Sequence, residues 1–218
     1  MVSPLNRIYL NPVFGKILHP FVYIFRNELI GCKSVLDLGC GYTSPLQYCD
    51  GVGYSVGVEA FKPYITISKK NKIHSKYIHS DILKVDFSSD SFDAVIMTEV
   101  LEHLNSADGI KLLKKIKRWA KKKVVITSPN GYFPQEETDK NPLQAHKSGC
   151  DVNTMNSLGF KCRGNGGFSR LRKNLYGNEG QSGLVQLFWI SIATISQSIA
   201  YFFPQYSFGI ISVYTKKQ

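Results

Sequence analysis

Residues 34–44, Ser-Val-Leu-Asp-Leu-Gly-Cys-Gly-Tyr-Thr-Ser, constrain the fold more than any other stretch of the chain. Val35, Leu36 and Leu38 form a short apolar run broken only by Asp37, the pattern of a strand buried on both faces. Gly39 and Gly41 follow at once, and Thr43 or Ser44 is placed to cap a helix starting near Pro45. Strand, glycine turn and helix start form a layout that brings backbone N–H groups close to a ligand. Asp37 is the sharper feature, because a carboxylate inside a buried strand needs a partner. At the C-terminal end of a strand, a cationic ligand group or a hydrogen-bonded network would serve.

The rest of the chain alternates strand and helix patterns. Residues 1–30 form an N-terminal arm, with short helices at Val13–Leu18 and Phe21–Leu29 separated by Pro20. Ser55–Ala60 reads as a second strand containing Glu59, about eighteen residues past the glycine turn, a usual spacing for an acid that takes ribose hydroxyls. A helix opens at Pro63, Tyr77–His79 forms a third strand leading to Asp81, and Asp93–Met97 a fourth. A helix over Ala107–Ala120 presents Ile110, Leu113, Ile116 and Ala120 on one face and Lys111, Lys114, Lys115 and Arg118 on the other. Val124–Thr127 is a fifth strand; residues 31–128 would thus be a cofactor-binding core.

Residues 129–218 read as the substrate side. A polar, turn-rich stretch fills Gly131–Gly149, a helix follows near Asp151–Leu158, and Phe160–Arg163 is a sixth strand closed by a loop at glycines 164, 166 and 167. No charged residue occurs from Gln181 to Thr215. Leu184–Phe203 reads as a helix with Leu184, Phe188, Ile192, Ile195, Ile199 and Phe202 on one stripe, and Phe208–Tyr214 as a closing strand. The expected whole is a single α/β domain over 1–218, Rossmann-like and doubly wound. Its seven-stranded sheet is mostly parallel with an antiparallel last strand.

Asp37-Leu38-Gly39-Cys40-Gly41 resembles the first motif of the class I S-adenosylmethionine-dependent methyltransferases. Val56-Gly57-Val58-Glu59, Ser80-Asp81-Ile82, and Phe92-Asp93-Ala94-Val95 with Glu99-Val100-Leu101-Glu102-His103 resemble later motifs of that family in the right order. Thr127-Ser128-Pro129-Asn130 resembles the branch that includes the ubiquinone-pathway O-methyltransferases. Many relatives have a third glycine where this chain has Thr43. The resemblance implies S-adenosyl-L-methionine as cofactor, with Asp37, Gly39, Cys40 and Gly41 at its amino-acid end and Glu59 on the ribose. It also implies Asp81 and Ile82 at the adenine, with Thr98 and Glu99 among the cofactor-binding residues. His103 and His146 are candidate general bases, since histidine titrates near neutrality. Glu99 and His103 share a face if a helix begins there.

A nicotinamide-dependent dehydrogenase fits less well, because position 44 is Ser where its Gly-x-Gly-x-x-Gly fingerprint requires glycine. Five cysteines without Cys-x-x-Cys spacing argue against a disulfide framework or zinc site, and no metal is expected. Together with the absence of a signal-peptide pattern in the first residues, they point to the cytoplasm. The net charge of +11 favours an anionic partner. Together with the charge-free helix, it suggests a small-molecule, sugar or lipid-linked acceptor and a peripheral position at the inner face of the membrane. RNA or protein methylation is the alternative that charge suggests, although the fourth strand ends Met97-Thr98-Glu99 and not in an Asn-Pro-Pro-Tyr type motif. A non-catalytic cofactor-fold binding protein is the other.

Overall fold

The computed structural model describes residues 11–171 and 183–217, except the side chains of residues 183, 184, 186, 187 and 190. Helices α1 (Pro12–Leu18) and α2 (Phe21–Glu28) lead into β1 (Ser34–Leu38). Then come β2 (Tyr54–Glu59), α3 (Lys62–Asn71), β3 (Lys76–His79), β4 (Phe92–Thr98), α4 (Ser106–Trp119) and β5 (Ala120–Pro129). The chain continues through α5 (Val152–Ser157), β6 (Lys161–Phe168), α6 (Gly183–Ala200) and β7 (Ser207–Thr215). The seven strands form one sheet in the order β3-β2-β1-β4-β5-β7-β6. β1 to β5 are parallel; β7 is antiparallel to both β5 and β6, so β6 runs in the common direction.

Successive residues of β1 serve opposite faces, as the two-residue period of a strand requires. Leu36 and Leu38 join one core with Leu112, Leu113, Ile116 and Trp119 of α4. Val35 joins the other with Ile24 and Phe25 of α2. Asp93 ties the layers at the sheet's base, accepting from the Lys33 N–H at 2.7 Å and pairing with Lys122 at 3.0 Å.

Four expectations change. The helix expected at Pro45 is a single 3-10 turn, Pro45–Tyr48, whose Ser44 cap accepts from the Leu46 N–H. The apolar face of α4 is rotated from the expected one: Gly109, Leu112, Leu113, Ile116 and Trp119 are buried, whereas Ile110 is 37% exposed. Trp119 is the reason, since it is larger than Ile110 and its indole N–H reaches Asp86 at 3.1 Å. The glycines after Arg163 do not close a loop but continue β6 to Phe168.

Helix α6 explains those glycines and supplies the fourth correction. A Cβ on Gly164 would lie 1.9 Å from the Ala200 carbonyl oxygen, and one on Gly167 would lie 2.2 Å from that of Ala193. The helix backbone therefore rests directly on the strand. Its seat is polar and small: Ala193, Ser196, Gln197 and Ala200 are buried. The Gln197 amide accepts from the Gly167 N–H at 2.9 Å and donates to the Gly164 and His19 carbonyls, each at 3.0 Å. The expected apolar stripe consequently faces outward, with Ile195 68%, Ile199 55% and Phe202 64% exposed. Ile192 is partly buried, and the Leu184 side chain lies outside the described residues, as do residues 1–10 of the arm. Gly164→Ala is expected to destabilise the fold by about 1–3 kcal/mol, the usual cost of overpacking a close contact. Urea unfolding checks this; an unchanged midpoint would mean that α6 is not seated on the strand.

Candidate functional site

The glycine turn is tied to β2 rather than open to a ligand. The N–H groups of Gly39 and Cys40 both donate to the Val58 carbonyl, at 2.8 and 3.0 Å, and that of Gly41 donates to Glu59 Oε2 at 3.0 Å. The expectation of a cradle of free N–H donors is therefore corrected. Gly39 and Gly41 have φ of +69° and +58°, and a Cβ on Gly39 would lie 2.5 Å from Val100. Glycine serves here to turn the chain and keep it low. Thr43, which stands at the third-glycine position, is exposed.

Asp37 lies beneath this turn and is 1% exposed. Ser44 Oγ donates to its Oδ2 at 2.5 Å, so the residue foreseen as a cap also serves the carboxyl group. Burial pushes the Asp37 pKa up to about 7, against the opposing pull of the Ser44 hydrogen bond, with Glu59 raising it further. His74 Nε2 lies 3.4 Å from the same Oδ2. Neither ring nitrogen of His74 has a hydrogen-bond partner, and burial lowers its pKa to about 4. His74 is therefore neutral near pH 7, and the contact is not an ion pair. Gly57 admits the imidazole, since a Cβ there would meet His74 Cδ2 at 2.6 Å.

Glu59, at the end of β2, bridges the turn and the next helix, accepting also from the Phe61 N–H at 2.7 Å. It lines a cleft of about 520 Å³ at the C-terminal edge of the sheet with Gly39, Gly41, Asp81, Ile82, Glu99 and His103. Asp37, Cys40 and Thr98 line an adjoining cleft of about 770 Å³ that shares Gly39, Gly41 and Glu99 with the first. Every expected cofactor residue thus lines one of two contiguous clefts. Tyr64, Asn141, Gln144 and Lys147 also line the first and were not foreseen. Tyr64 donates to Asp139 at 2.8 Å, joining α3 to the segment after β5. No local pattern marks these residues, because their shared position depends on how that segment folds back.

The second half of the site is built from the turn after β4. Glu99 has φ of +51°, and Leu101–His103 is one 3-10 turn. Glu99 and His103 therefore do not share a helical face, as expected from their spacing; α4 begins only at Ser106. The loop carrying His146 folds onto this turn: Lys147 and Ser148 N–H groups donate to the Glu102 carbonyl at 2.8 and 3.1 Å. This places the His103 and His146 rings 4.8 Å apart, edge to face. His103 lines the first cleft, with His146 against it. Burial lowers the His103 pKa. Burial, then the neighbouring Glu99, raises that of Glu102 well above the usual carboxylate range.

Residues 36–127 match the family model of a methyltransferase domain. In sequence the chain is 31% identical over 110 residues to an uncharacterized protein of Methanocaldococcus jannaschii, a match covering 47% of this chain and 44% of that one. The chain thus spans less than half the length of that curated relative. Among solved structures it is similar to a SAM-dependent methyltransferase from Archaeoglobus fulgidus (TM-score 0.55, 21% identity, 94% of this chain and 98% of that one). It is also similar to the plantazolicin methyltransferase BpumL in complex with SAH (0.57, 14%, 98% and 89%). The [4+2]-cyclase SpnF has a similar fold (0.55, 13%, 90% and 81%), so fold by itself does not determine the reaction. The family match spans less than half of the chain, and these structural likenesses show a shared fold. The narrower likeness to ubiquinone-pathway enzymes receives no support from these matches.

The Asp37 carboxyl makes stability depend on pH in a defined direction. Its folded pKa is raised from 3.8 to about 7, so its stabilising contribution is full below pH 4 and is lost as pH rises through 7. His74 acts oppositely, losing stability as pH falls from 6.5 towards 4. Asp37→Asn separates the two. Its stability relative to the wild type is expected to rise between pH 4 and 7 by up to about 1.4 kcal/mol per pH unit. Urea titrations across that range measure the difference, and a difference independent of pH would contradict the assignment.

Proposed function

We propose that this protein transfers a methyl group from S-adenosylmethionine to an oxygen atom of a small-molecule, sugar or lipid-linked acceptor. The observation that carries the reading is the convergence of the glycine turn, Glu59, Asp81 and Glu99 on one cleft at the C-terminal edge of a parallel sheet. In this reading Asp37 faces the amino-acid end of the cofactor, where a cationic amino group favours its charged form. Glu59 keeps carboxylate lone pairs for the ribose hydroxyls beyond those bound by Gly41 and Phe61. Asp81 and Ile82 flank the adenine, and Thr98 and Glu99 form the wall towards the acceptor.

The transfer itself is an in-line displacement. The acceptor oxygen forms a bond to the methyl carbon as the carbon–sulfur bond breaks; the sulfur keeps the electron pair and leaves as S-adenosylhomocysteine. The acceptor's proton must depart, and in this reading His103 or His146, whose rings lie 4.8 Å apart, accepts it. The protein's work is mainly alignment and exclusion of water.

A lipid-linked acceptor is favoured by the outward faces of α1 and α6. Phe14 and Ile17 are exposed on α1, beside Ile195, Ile199 and Phe202 of α6 and its end. The two elements meet where His19 stacks on Tyr201 at 4.1 Å. The segments 11–27 and 180–218 hold no Asp or Glu, while Lys16, Arg163 and Arg170 are exposed nearby in the chain or the fold. An apolar face with cationic surroundings suits an anionic membrane interface. None of the described helices is long and apolar enough to cross a membrane, so contact at the surface is the mode proposed.

Cofactor binding is tested by calorimetry with S-adenosylmethionine and, separately, NAD. Glu59→Ala is expected to weaken the former at least about tenfold, as removal of charged hydrogen bonds does; binding of NAD alone would overturn the reading. The acceptor is tested with methyl-labelled cofactor and a membrane extract. Label is expected in the organic phase, with sedimentation on anionic vesicles that Ile195→Glu and Ile199→Glu together abolish. Label in RNA or protein would replace the lipid acceptor with the alternative that the net charge suggests.

A further inference from the structure

Glu102 is costly in a way that the methyl-transfer scheme leaves unexplained. It is 3% exposed, and its Oε2 is buried without a hydrogen-bond partner. An unpaired buried carboxyl oxygen is a feature that folded proteins normally avoid. Beside it lie two imidazoles: Glu102, His103 and His146 each place one potential ligand atom within 4.8 Å of the other two.

Both imidazoles are already oriented. His103 Nδ1 meets the Ala145 carbonyl at 3.3 Å, and His146 Nδ1 meets the Phe133 carbonyl at 2.5 Å. A carbonyl only accepts, so each Nδ1 carries the proton and each Nε2 holds the lone pair. Backbone carbonyls holding the far nitrogen of a histidine in this way are the usual support of metal-binding imidazoles. The backbone is secured too, by the Lys147 and Ser148 N–H groups on the Glu102 carbonyl. Glu99 lies against Glu102 and shares a proton with it through a side-chain hydrogen bond; a cation bound by Glu102 would displace that proton to solvent.

We infer that Glu102, His103 and His146 bind one divalent transition-metal ion of the zinc class, at the acceptor side of the cofactor cleft. The donor set selects the ion. Magnesium and calcium prefer oxygen ligands alone, whereas two imidazoles with one carboxylate suit zinc and its neighbours. Metal–ligand bonds of about 2.1 Å place tetrahedral donors roughly 3.4 Å apart, so closure requires inward shifts on the order of 1 Å. Three protein ligands leave a fourth position for water or substrate. Since His103 lines the cleft, that position would be available to an acceptor oxygen. With both imidazoles ligating the ion they no longer serve as bases; a hydroxyl bound there would instead release its proton more readily, to solvent, before the displacement described above. This use of the ion rests on the methyltransferase reading; its binding does not.

The test uses the tag-free full chain, stripped with a chelator and dialysed, and titrated with cobalt(II) while visible absorption is followed. Zinc displacement and calorimetry complete it, and circular dichroism verifies the fold. One equivalent per chain is expected, without sulfur-to-cobalt charge-transfer absorption. Glu102→Gln and His146→Ala, separately, should each weaken binding at least tenfold. Calorimetry with S-adenosylmethionine runs in parallel. Cofactor binding without saturable cobalt or zinc binding would overturn the site and leave the methyltransferase reading standing. Metal binding without cofactor binding would do the reverse. Binding through thiolates, or binding unchanged in either variant, would also overturn the site.

Discussion

A carboxyl group in the central strand of a parallel sheet cannot be left to water, and much of the glycine-turn end of the sheet is arranged around that restriction. Asp37 sits between β2 and β4 with no solvent to share its charge. Ser44 reaches back to it from the far side of the glycine turn, and His74 approaches the same oxygen beside the gap at Gly57. The turn must therefore be short and low, and its N–H groups are spent on Val58 and Glu59. A neutral carboxyl is the cheapest state of such a site without ligand. In the proposed reading a cationic ligand group would reverse that preference.

The opposite end of the sheet answers to a different restriction. β7 enters antiparallel between β5 and β6, so β6 ends at the same edge as the parallel strands and the chain must return along it. Helix α6 makes that return with its backbone pressed on Gly164 and Gly167 and held by Gln197. Close backbone approach admits only small or hydrogen-bonding side chains in the contact, and this turns the large apolar ones outward. The lipid-surface reading and the seating of the helix are thus two consequences of the same packing.

Much of the cofactor half was legible in the sequence because its signals are local. The apolar run broken by Asp37, the glycines after it, and acids ending the later strands each declare themselves within a few residues. Their gathering at one sheet edge follows from right-handed parallel connections. Where the reading went astray, a distant partner had overruled local pattern. Ile110 fits an apolar stripe, but Trp119 and Leu112 claim the buried face. Glu99 and His103 have helical spacing, but the left-handed backbone of Glu99 delays the helix to Ser106. Gly164, Gly166 and Gly167 look like a loop until a helix lies across them.

The sequence by itself determined the alternation of strand and helix, the glycine turn and the carboxylates at the strand ends, because periodicity and turn chemistry are properties of neighbouring residues. Only the tertiary structure decided that α6 is buried by its polar face. It alone also decided that the segment after β5 brings His146 to His103 and Glu102, and that the turn's N–H groups are occupied. Each depends on contacts between segments remote in the chain, and the free energy of those contacts resides in burial and hydrogen bonding that no single segment contains.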